Sequence, residues 1–141
     1  MSISDMTDDE LELRVATEVL GWERRTSTRM ADGGEAWVDE PRFYGPRLQP
    51  YGMRCCDFNP LNDDRDTIRV KYAADFIAGS YIVFGRVKGS EDYVAFTELE
   101  FYPSASLPPQ RARIEYRHTN PRRAVLLACL AAVRAKRGEQ A

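Results

Sequence analysis

The sequence predicts an α+β domain built as a three-layer α/β/α sandwich, with a mostly antiparallel sheet and helices near the start, the middle and the end. Helical apolar patterns occur in those three parts of the 141 residues. Three consecutive strand patterns lie between the second and the third helical pattern, and one of them alternates between apolar and charged residues. The length fits one domain, 1–141, with a single hydrophobic core.

The first helix has a recognisable start and end. Thr7 is followed three residues later by Glu10, which is the spacing of a capping box, and Gly21 is a natural C-terminal stop. The apolar stripe between them contains Leu11, Val15, Val19 and Trp22. Residues 1–6 are expected to fray.

A hairpin and a loop follow this helix. The segments Trp22–Arg29 and Ala36–Val38 flank the Gly-rich turn Ala31–Gly34, which predicts a β-hairpin. Three prolines and two glycines predict a long exposed loop over 39–54. Residues 55–58 are expected to form a short strand.

The second helix is predicted to start at Asn62 or Asp63, with acidic residues in its first turn. Its apolar positions recur at Ile68, Tyr72 and Phe76. Because Ile68, Val70 and Tyr72 also alternate, a strand is the alternative for part of this segment.

Three strands are predicted next. The first, Tyr81–Val87, is apolar on both faces, which is typical of a strand covered on both sides. The second is Tyr93–Phe101. The third runs over 111–117 and alternates between core-type and charged residues, so its outer face is expected to be solvated.

The last helix is the clearest element. Asn120 is its predicted N-cap, Pro121 takes the first helical position, and Ala124–Val133 is almost wholly apolar. A helix with this composition is expected to be deeply packed across a sheet. Cys129 is predicted to be part of the core, and residues 138–141 are expected to fray.

Composition excludes several classes of protein. No apolar run approaches the roughly 20 residues of a membrane-spanning helix, and the start lacks the pattern of a signal peptide, so we expect a cytoplasmic protein. The formal net charge is −2, although Gln110–Ala141 carries eight Arg and Lys against two Glu. Three cysteines, two of them adjacent, make a poor disulfide framework, so reduced thiols are expected.

Three fragments together resemble a known family. They are Leu13–Trp22, Phe58–Asp63 and Asn120–Leu127. In this order they resemble the phage ABA sandwich family, small phage and prophage proteins of unassigned function. The resemblance implies a phage or prophage origin, a three-layer fold and residence in the cytoplasm of the bacterial host. It implies no catalytic residues.

Neither metal nor conventional catalytic chemistry is predicted, and no cofactor is expected. Adjacent cysteines do not converge on a metal as a CxxC pair does. There is one histidine, no Gly-x-Ser-x-Gly sequence and no Gly-rich phosphate loop. The potential metal ligands are Cys55, Cys56, His118 and Cys129.

The predicted anion-binding residues surround the start of the last helix. They are Arg117, His118, Asn120, Arg122 and Arg123. Unsatisfied N–H groups at a helix start attract anions, and the cationic side chains add to this attraction. The alternative interpretation is that these cations pair inside the protein, either with the acidic N-terminal helix or with the acidic turn at 63–66.

The predicted partner-binding residues belong to the stretch 41–54, which contains no acid. They are Arg42, Phe43, Tyr44, Arg47, Tyr51 and Arg54. Arg and aromatic residues are enriched at interface cores, and they also stack on single-stranded nucleic acid. The alternative is that these aromatics pack onto their own domain. Protein binding is favoured over nucleic acid because the protein is slightly acidic.

The function expected from these patterns is a small phage- or prophage-derived accessory protein that binds and inhibits a host macromolecule. The partner would be a host protein or ribonucleoprotein complex, such as a defence-system component, which includes an anti-CRISPR role. The first alternative is a binder of a phosphate-bearing small molecule at the Asn120 helix start. The second is an enzyme with an unfamiliar site. Homo-oligomerisation stays open, and no membrane association is expected.

Overall fold

The structure is a computed structural model that describes residues 2–30, 37–45, 54–56, 58–102 and 104–140. Over 25–30, 37–45, 54–56 and 139–140 it describes the main chain only. In chain order the elements are a 3₁₀ turn (Ile3–Asp5), α1 (Asp8–Arg14), a π-helical turn (Val15–Val19), β1 (Glu23–Met30), β2 (Trp37–Gly45), β3 (Arg54–Cys56), α2 (Asp64–Ala78), β4 (Val83–Arg86), β5 (Tyr93–Phe101), β6 (Gln110–His118) and α3 (Pro121–Gln140).

The α+β class is confirmed, with helices near the start, the middle and the end. The strands described form two antiparallel three-stranded sheets, in the orders β1-β2-β3 and β4-β5-β6. Helix α3 packs on the β4-β5-β6 sheet, and α2 and the π-helical turn pack on α3. The three-layer arrangement stays a prediction.

The predicted helix caps are confirmed. The Thr7 hydroxyl accepts from the Glu10 N–H at 3.2 Å, while the Glu10 carboxylate accepts from the Thr7 N–H at 3.2 Å, which completes a capping box. Asp63 caps α2 by accepting from the Arg65 N–H at 2.9 Å, and Gly79 ends it with a φ of 67°. The strand alternative for this segment is therefore wrong.

The first helix ends in a π-helical turn. The Leu20 N–H donates to the Val15 carbonyl at 3.1 Å, and the Trp22 N–H donates to the Ala16 carbonyl at 2.9 Å. Gly21 follows with a φ of 72°, which costs little without a Cβ. This route places the buried Trp22 ring edge-on to Phe58, with ring centroids 5.0 Å apart.

The core is centred on α3. Leu126, Leu130 and Val133 are completely buried, and Leu99 of β5 and Val15 of the π-helical turn are also fully buried in this core. Each such side chain contributes about 1.5–3 kcal/mol when it leaves water. The deep packing that the apolar run predicts for α3 is therefore confirmed. None of the helices that the structure describes combines the length and apolar character needed to cross a bilayer.

The predicted loop over 39–54 is wrong at both of its ends, because Asp39–Gly45 continue β2 and Arg54 begins β3. Pro41 lies opposite Thr26 of β1, whereas β3 pairs with Phe43–Gly45 only. Pro41 thus has a neighbouring strand on one side alone among the described residues, where a missing N–H is tolerated. The middle of the loop, 46–53, and the hairpin turn at 31–34 lie outside the described residues.

The predicted fraying of residues 1–6 and 138–141 stays a prediction, although the described parts of both ends carry secondary structure. Ile3–Asp5 form a 3₁₀ turn, Met6 is buried in the core, and the Arg123 guanidinium donates to the Met6 carbonyl at 2.6 Å. At the other end α3 continues to Gln140.

Strand β4 lies at an edge of its described sheet, with Val83 and Phe84 about half exposed. Residues 81–87 do contain a strand, but the expectation that it is covered on both sides is wrong.

Candidate functional site

The predicted partner-binding residues are split between two strands and a segment that is not described. Arg42, Phe43 and Tyr44 lie on β2, and Arg54 begins β3. The register places Phe43 opposite Cys56 and Tyr44 opposite Cys55, so the strand ends bring this stretch back on itself. Arg47 and Tyr51 lie outside the described residues. The role of this set stays a prediction.

The two arginines at the start of α3 are paired within the chain. Arg122 Nε donates to Asp64 Oδ1 at 2.8 Å. Arg123 Nη1 donates to Asp8 Oδ1 at 2.8 Å, and its guanidinium is buried against the N-terminal segment. Acidic groups from both predicted internal sources therefore neutralise these cations, which weakens the case for an external anion here.

His118 and Asn120 organise the same helix start. The Asn120 N–H donates to His118 Nδ1 at 2.9 Å, so this ring nitrogen is the acceptor of the bond. Asn120 Oδ1 accepts from the Arg122 N–H at 3.0 Å, which confirms the predicted N-cap. Arg117 is exposed on the outer face of β6. Capping accounts for these polar groups without a ligand.

The basic residues at the end of α3 also have internal partners. Arg134 makes two 2.8 Å hydrogen bonds to the Glu18 carboxylate. These bonds lower the pKa of Glu18 and raise the pKa of Arg134. Arg137 donates to the Glu18 carbonyl, and Lys136 Nζ donates to the Glu100 carbonyl at 2.7 Å. This end of the helix is fastened to the π-helical turn and to β5.

Reactive groups are few among the described side chains. Cys129 is completely buried in α3, and burial raises the pKa of its thiol well above its ordinary value. The described residues contain no cluster of three His, Cys, Asp or Glu side chains that could hold a metal ion. The predicted core role of Cys129 is confirmed. The side chains of Cys55 and Cys56 are not described.

The exposed large apolar side chains on the described helices all belong to the stripe that predicted α2. Ile68, Tyr72 and Phe76 are 45, 67 and 89 % exposed, and we call these three residues the α2 apolar face. The opposite side of α2, with Val70 and Ala74, is buried and packs toward the core.

Sequence reasoning identified the periodicity of this helix, but its most prominent stripe is the side exposed to solvent. The signal that could have shown this is the second stripe, Val70, Ala74 and Ala78, which recurs at the same spacing. Its small residues allow a close approach to α3, whereas the larger residues of the first stripe would hold the helices apart.

A shallow apolar groove adjoins the α2 apolar face. Its volume is about 280 Å³, and it lies between α2, β4 and the first turn of α3. Ile68, Phe84 and Val125 line its walls, while Lys71 and the Asp64–Arg122 pair lie at its polar rim. Lys71 is itself paired with Asp75 at 2.7 Å. The described charges at this groove therefore neutralise one another, so the groove favours an apolar partner.

No protein-family model matches this chain, and no curated protein is significantly similar to it. The fold and the surface define an α+β domain with an exposed apolar helix face and a neighbouring groove. The resemblance to the phage ABA sandwich family stays a prediction.

Proposed function

We propose that this protein acts by binding another protein, and that the α2 apolar face is its contact surface. The observation that carries the proposal is the exposure of Ile68, Tyr72 and Phe76, three large apolar side chains in one line on a well-capped helix. In the part of the chain that is described, no element packs over them.

The size and composition of this surface support a protein partner. An aromatic side chain buries about 150–250 Å² when it is fully covered, and both Tyr72 and Phe76 expose more than half of that area. Apolar patches of a few hundred Å² on a monomer commonly mark interaction sites. Arg65 and Arg69 flank the face, so it has the apolar centre and polar rim of an interface.

The described polar groups support binding over catalysis. The Cys129 thiol is buried, His118 Nδ1 is occupied in the cap of α3, and Arg122 and Arg123 are paired. None of these groups is a free nucleophile for a substrate at the α2 apolar face.

A more specific proposal concerns the biological role of this binding. We infer a small accessory protein of phage or prophage origin, acting in the cytoplasm of a bacterial host, that binds and inhibits a host protein or ribonucleoprotein complex such as a defence-system component. What supports it is the resemblance of the three fragments to the phage ABA sandwich family, together with the exposed face.

Affinity capture from bacterial lysate, with and without nuclease, tests the proposal. The wild-type protein is compared with the double variant Tyr72→Ser/Phe76→Ser. Each partner retained by the wild type is then purified, and its Kd for both proteins is measured. Loss of a central aromatic contact costs about 2 kcal/mol or more, so the variant should bind at least about thirtyfold more weakly.

The matched control is Leu107→Ser, which removes an exposed apolar side chain from the loop between β5 and β6. It should bind like the wild type. Equal binding by the double variant would exclude the α2 apolar face, and capture that disappears on nuclease treatment would indicate a nucleic-acid partner instead.

A further inference from the structure

The outer edge of β4 has the features of a strand that lacks a neighbour. Within the described sheet only β5 pairs with it. Phe84 on one face and Val83 on the other are about half exposed, and the preceding Tyr81 is 80 % exposed. The opposite edge strand, β6, instead carries alternating charges that discourage pairing with another strand.

The hydrogen-bond pattern shows which main-chain groups of β4 face outward. The Val87 N–H donates inward across the hairpin to the Asp92 carbonyl at 2.9 Å. These directions alternate along an antiparallel strand. The main-chain N–H and C=O groups of Val83 and Gly85 therefore also point toward β5, whereas those of Phe84 and Arg86 point away from it. An exposed apolar edge with outward N–H and C=O groups is a template for one more strand.

The edge is closed at its beginning. The Ile82 N–H points outward like that of Phe84, but Asp75 Oδ1 accepts it at 2.8 Å, and Asp75 is held by Lys71. Strand addition is therefore confined to the residues around Phe84. This limits the strand that can be added to a short one.

We propose that a second copy of this chain occupies this edge, with the two β4 strands antiparallel and Phe84 on the two-fold axis. In a symmetric antiparallel pair the residue on the axis faces itself, so the two outward-facing Phe84 residues exchange both of their main-chain hydrogen bonds. The Arg86 N–H of each copy then reaches the Ile82 carbonyl of the other, whose N–H remains with Asp75.

The side chains fit this register. Phe84 lies beside Phe84 of the second copy, and aromatic pairs across strands are favourable. Val83 lies opposite Gly85 of the second copy, at a position where an added Cβ would meet nothing within 4 Å. The strand has one charged residue, Arg86, and it faces Ile82 and not its own copy. No like charges are opposed.

The contact is small. Tyr81, Val83 and Phe84 expose on the order of 300 Å² of apolar surface, against about 800 Å² per partner in a stable complex. The dimer is therefore weak and concentration-dependent. It does not rest on the proposed function, because it uses the edge of the sheet and not the α2 apolar face, and it would display that face twice.

Two measurements on the whole chain test the proposal. Sedimentation velocity from low micromolar to near-millimolar concentration should show reversible dimerisation. Residue-resolved amide hydrogen exchange over the same range should show protection that rises with concentration at Phe84 and Arg86, while the inward-facing Val83 and Gly85 change little. Nonspecific association through an apolar surface would not produce this alternation.

Phe84→Lys places two cations opposite each other on the axis and should weaken the dimer at least about tenfold. The matched control, Leu107→Lys, adds the same charge at another exposed apolar position and should dimerise like the wild type. If Phe84→Lys does not fold, the exchange pattern of the wild type decides. Three results for the wild type would overturn the proposal. They are a monomer at every concentration, a dimer in which the amides of Phe84 and Arg86 are not protected, and protection of these two amides that does not depend on concentration.

Discussion

Replacing Arg123 by alanine should destabilise the protein more than any surface ion pair can explain. Its guanidinium is buried, donates to the Met6 carbonyl at 2.6 Å, and reaches Asp8 at 2.8 Å. A hydrogen bond from a charged donor contributes about 1.5–3 kcal/mol, and its loss leaves the Met6 carbonyl without this donor. The Asp8 carboxylate is 74 % exposed, so that pair adds about 0–1 kcal/mol. The expected loss is about 1.5–4 kcal/mol.

Urea unfolding followed by tryptophan fluorescence measures this loss, because Trp22 is buried in the same core. Asp8→Asn should cost about 1 kcal/mol or less, and the coupling in the double-mutant cycle should be equally small. Arg65→Ala is the control: its side chain is 92 % exposed, so the change should stay within about 0.5 kcal/mol. The reasoning fails if Arg123→Ala costs under about 1 kcal/mol, or if Asp8→Asn costs as much as Arg123→Ala.

Three further outcomes are expected. Glu18→Gln should reduce stability at neutral pH but not in acid, because the hydrogen bonds from Arg134 hold the folded pKa of Glu18 below its ordinary value; the stabilisation is complete above the ordinary pKa of a glutamate and is lost as the pH falls through the lowered pKa. Urea titrations of both proteins at several pH values measure this, and a difference that persists in strong acid would contradict it. The Cys129 thiol should resist alkylation until the protein unfolds, as peptide mapping by mass spectrometry would show; rapid labelling in the native state would mean that α3 is not packed as described. Phosphate and nucleotides should leave the melting temperature unchanged, since Arg122 and Arg123 have internal partners; a rise that increases with ligand concentration would restore the anion-binding alternative.

The helix boundaries could be read from sequence because they depend on local chemistry. Thr7, Asp63 and Asn120 each accept a hydrogen bond from an N–H of the first turn, and that preference is visible in a few neighbouring residues. The period of two along β5 is equally informative, since Ala95, Thr97 and Leu99 share one face of the strand and are buried.

The predicted loop at 39–54 failed for a reason that local sequence does not contain. Pro41 is acceptable in β2 because, among the described residues, β3 pairs with Phe43–Gly45 and not beside Pro41, and this pairing is a tertiary property. The proline and glycine content of this stretch predicts a loop, but it contains no information about which side of a strand has a neighbour.

The candidate site was harder to predict than the fold. The sequence shows the cations at the start of α3 but not their partners, because Asp8 and Asp64 are more than fifty residues away along the chain. Conversely, Tyr72 and Phe76 are recognisable in the sequence as part of a helix stripe, but sequence periodicity does not say which of two stripes faces the core.

The π-helical turn at Val15–Val19 is a place where the chain can lose one residue without disturbing its neighbours. A π turn holds about one residue more than an α turn, so the extra residue is absorbed locally and the segments on either side keep their orientation. Loss of one residue there, for example the half-buried Thr17, would leave a regular helix with Leu11 and Trp22 still directed inward. The same deletion within α3 would rotate every following side chain by about 100°. We therefore expect a one-residue deletion to be tolerated at this turn and not in α3, the helix at the centre of the core.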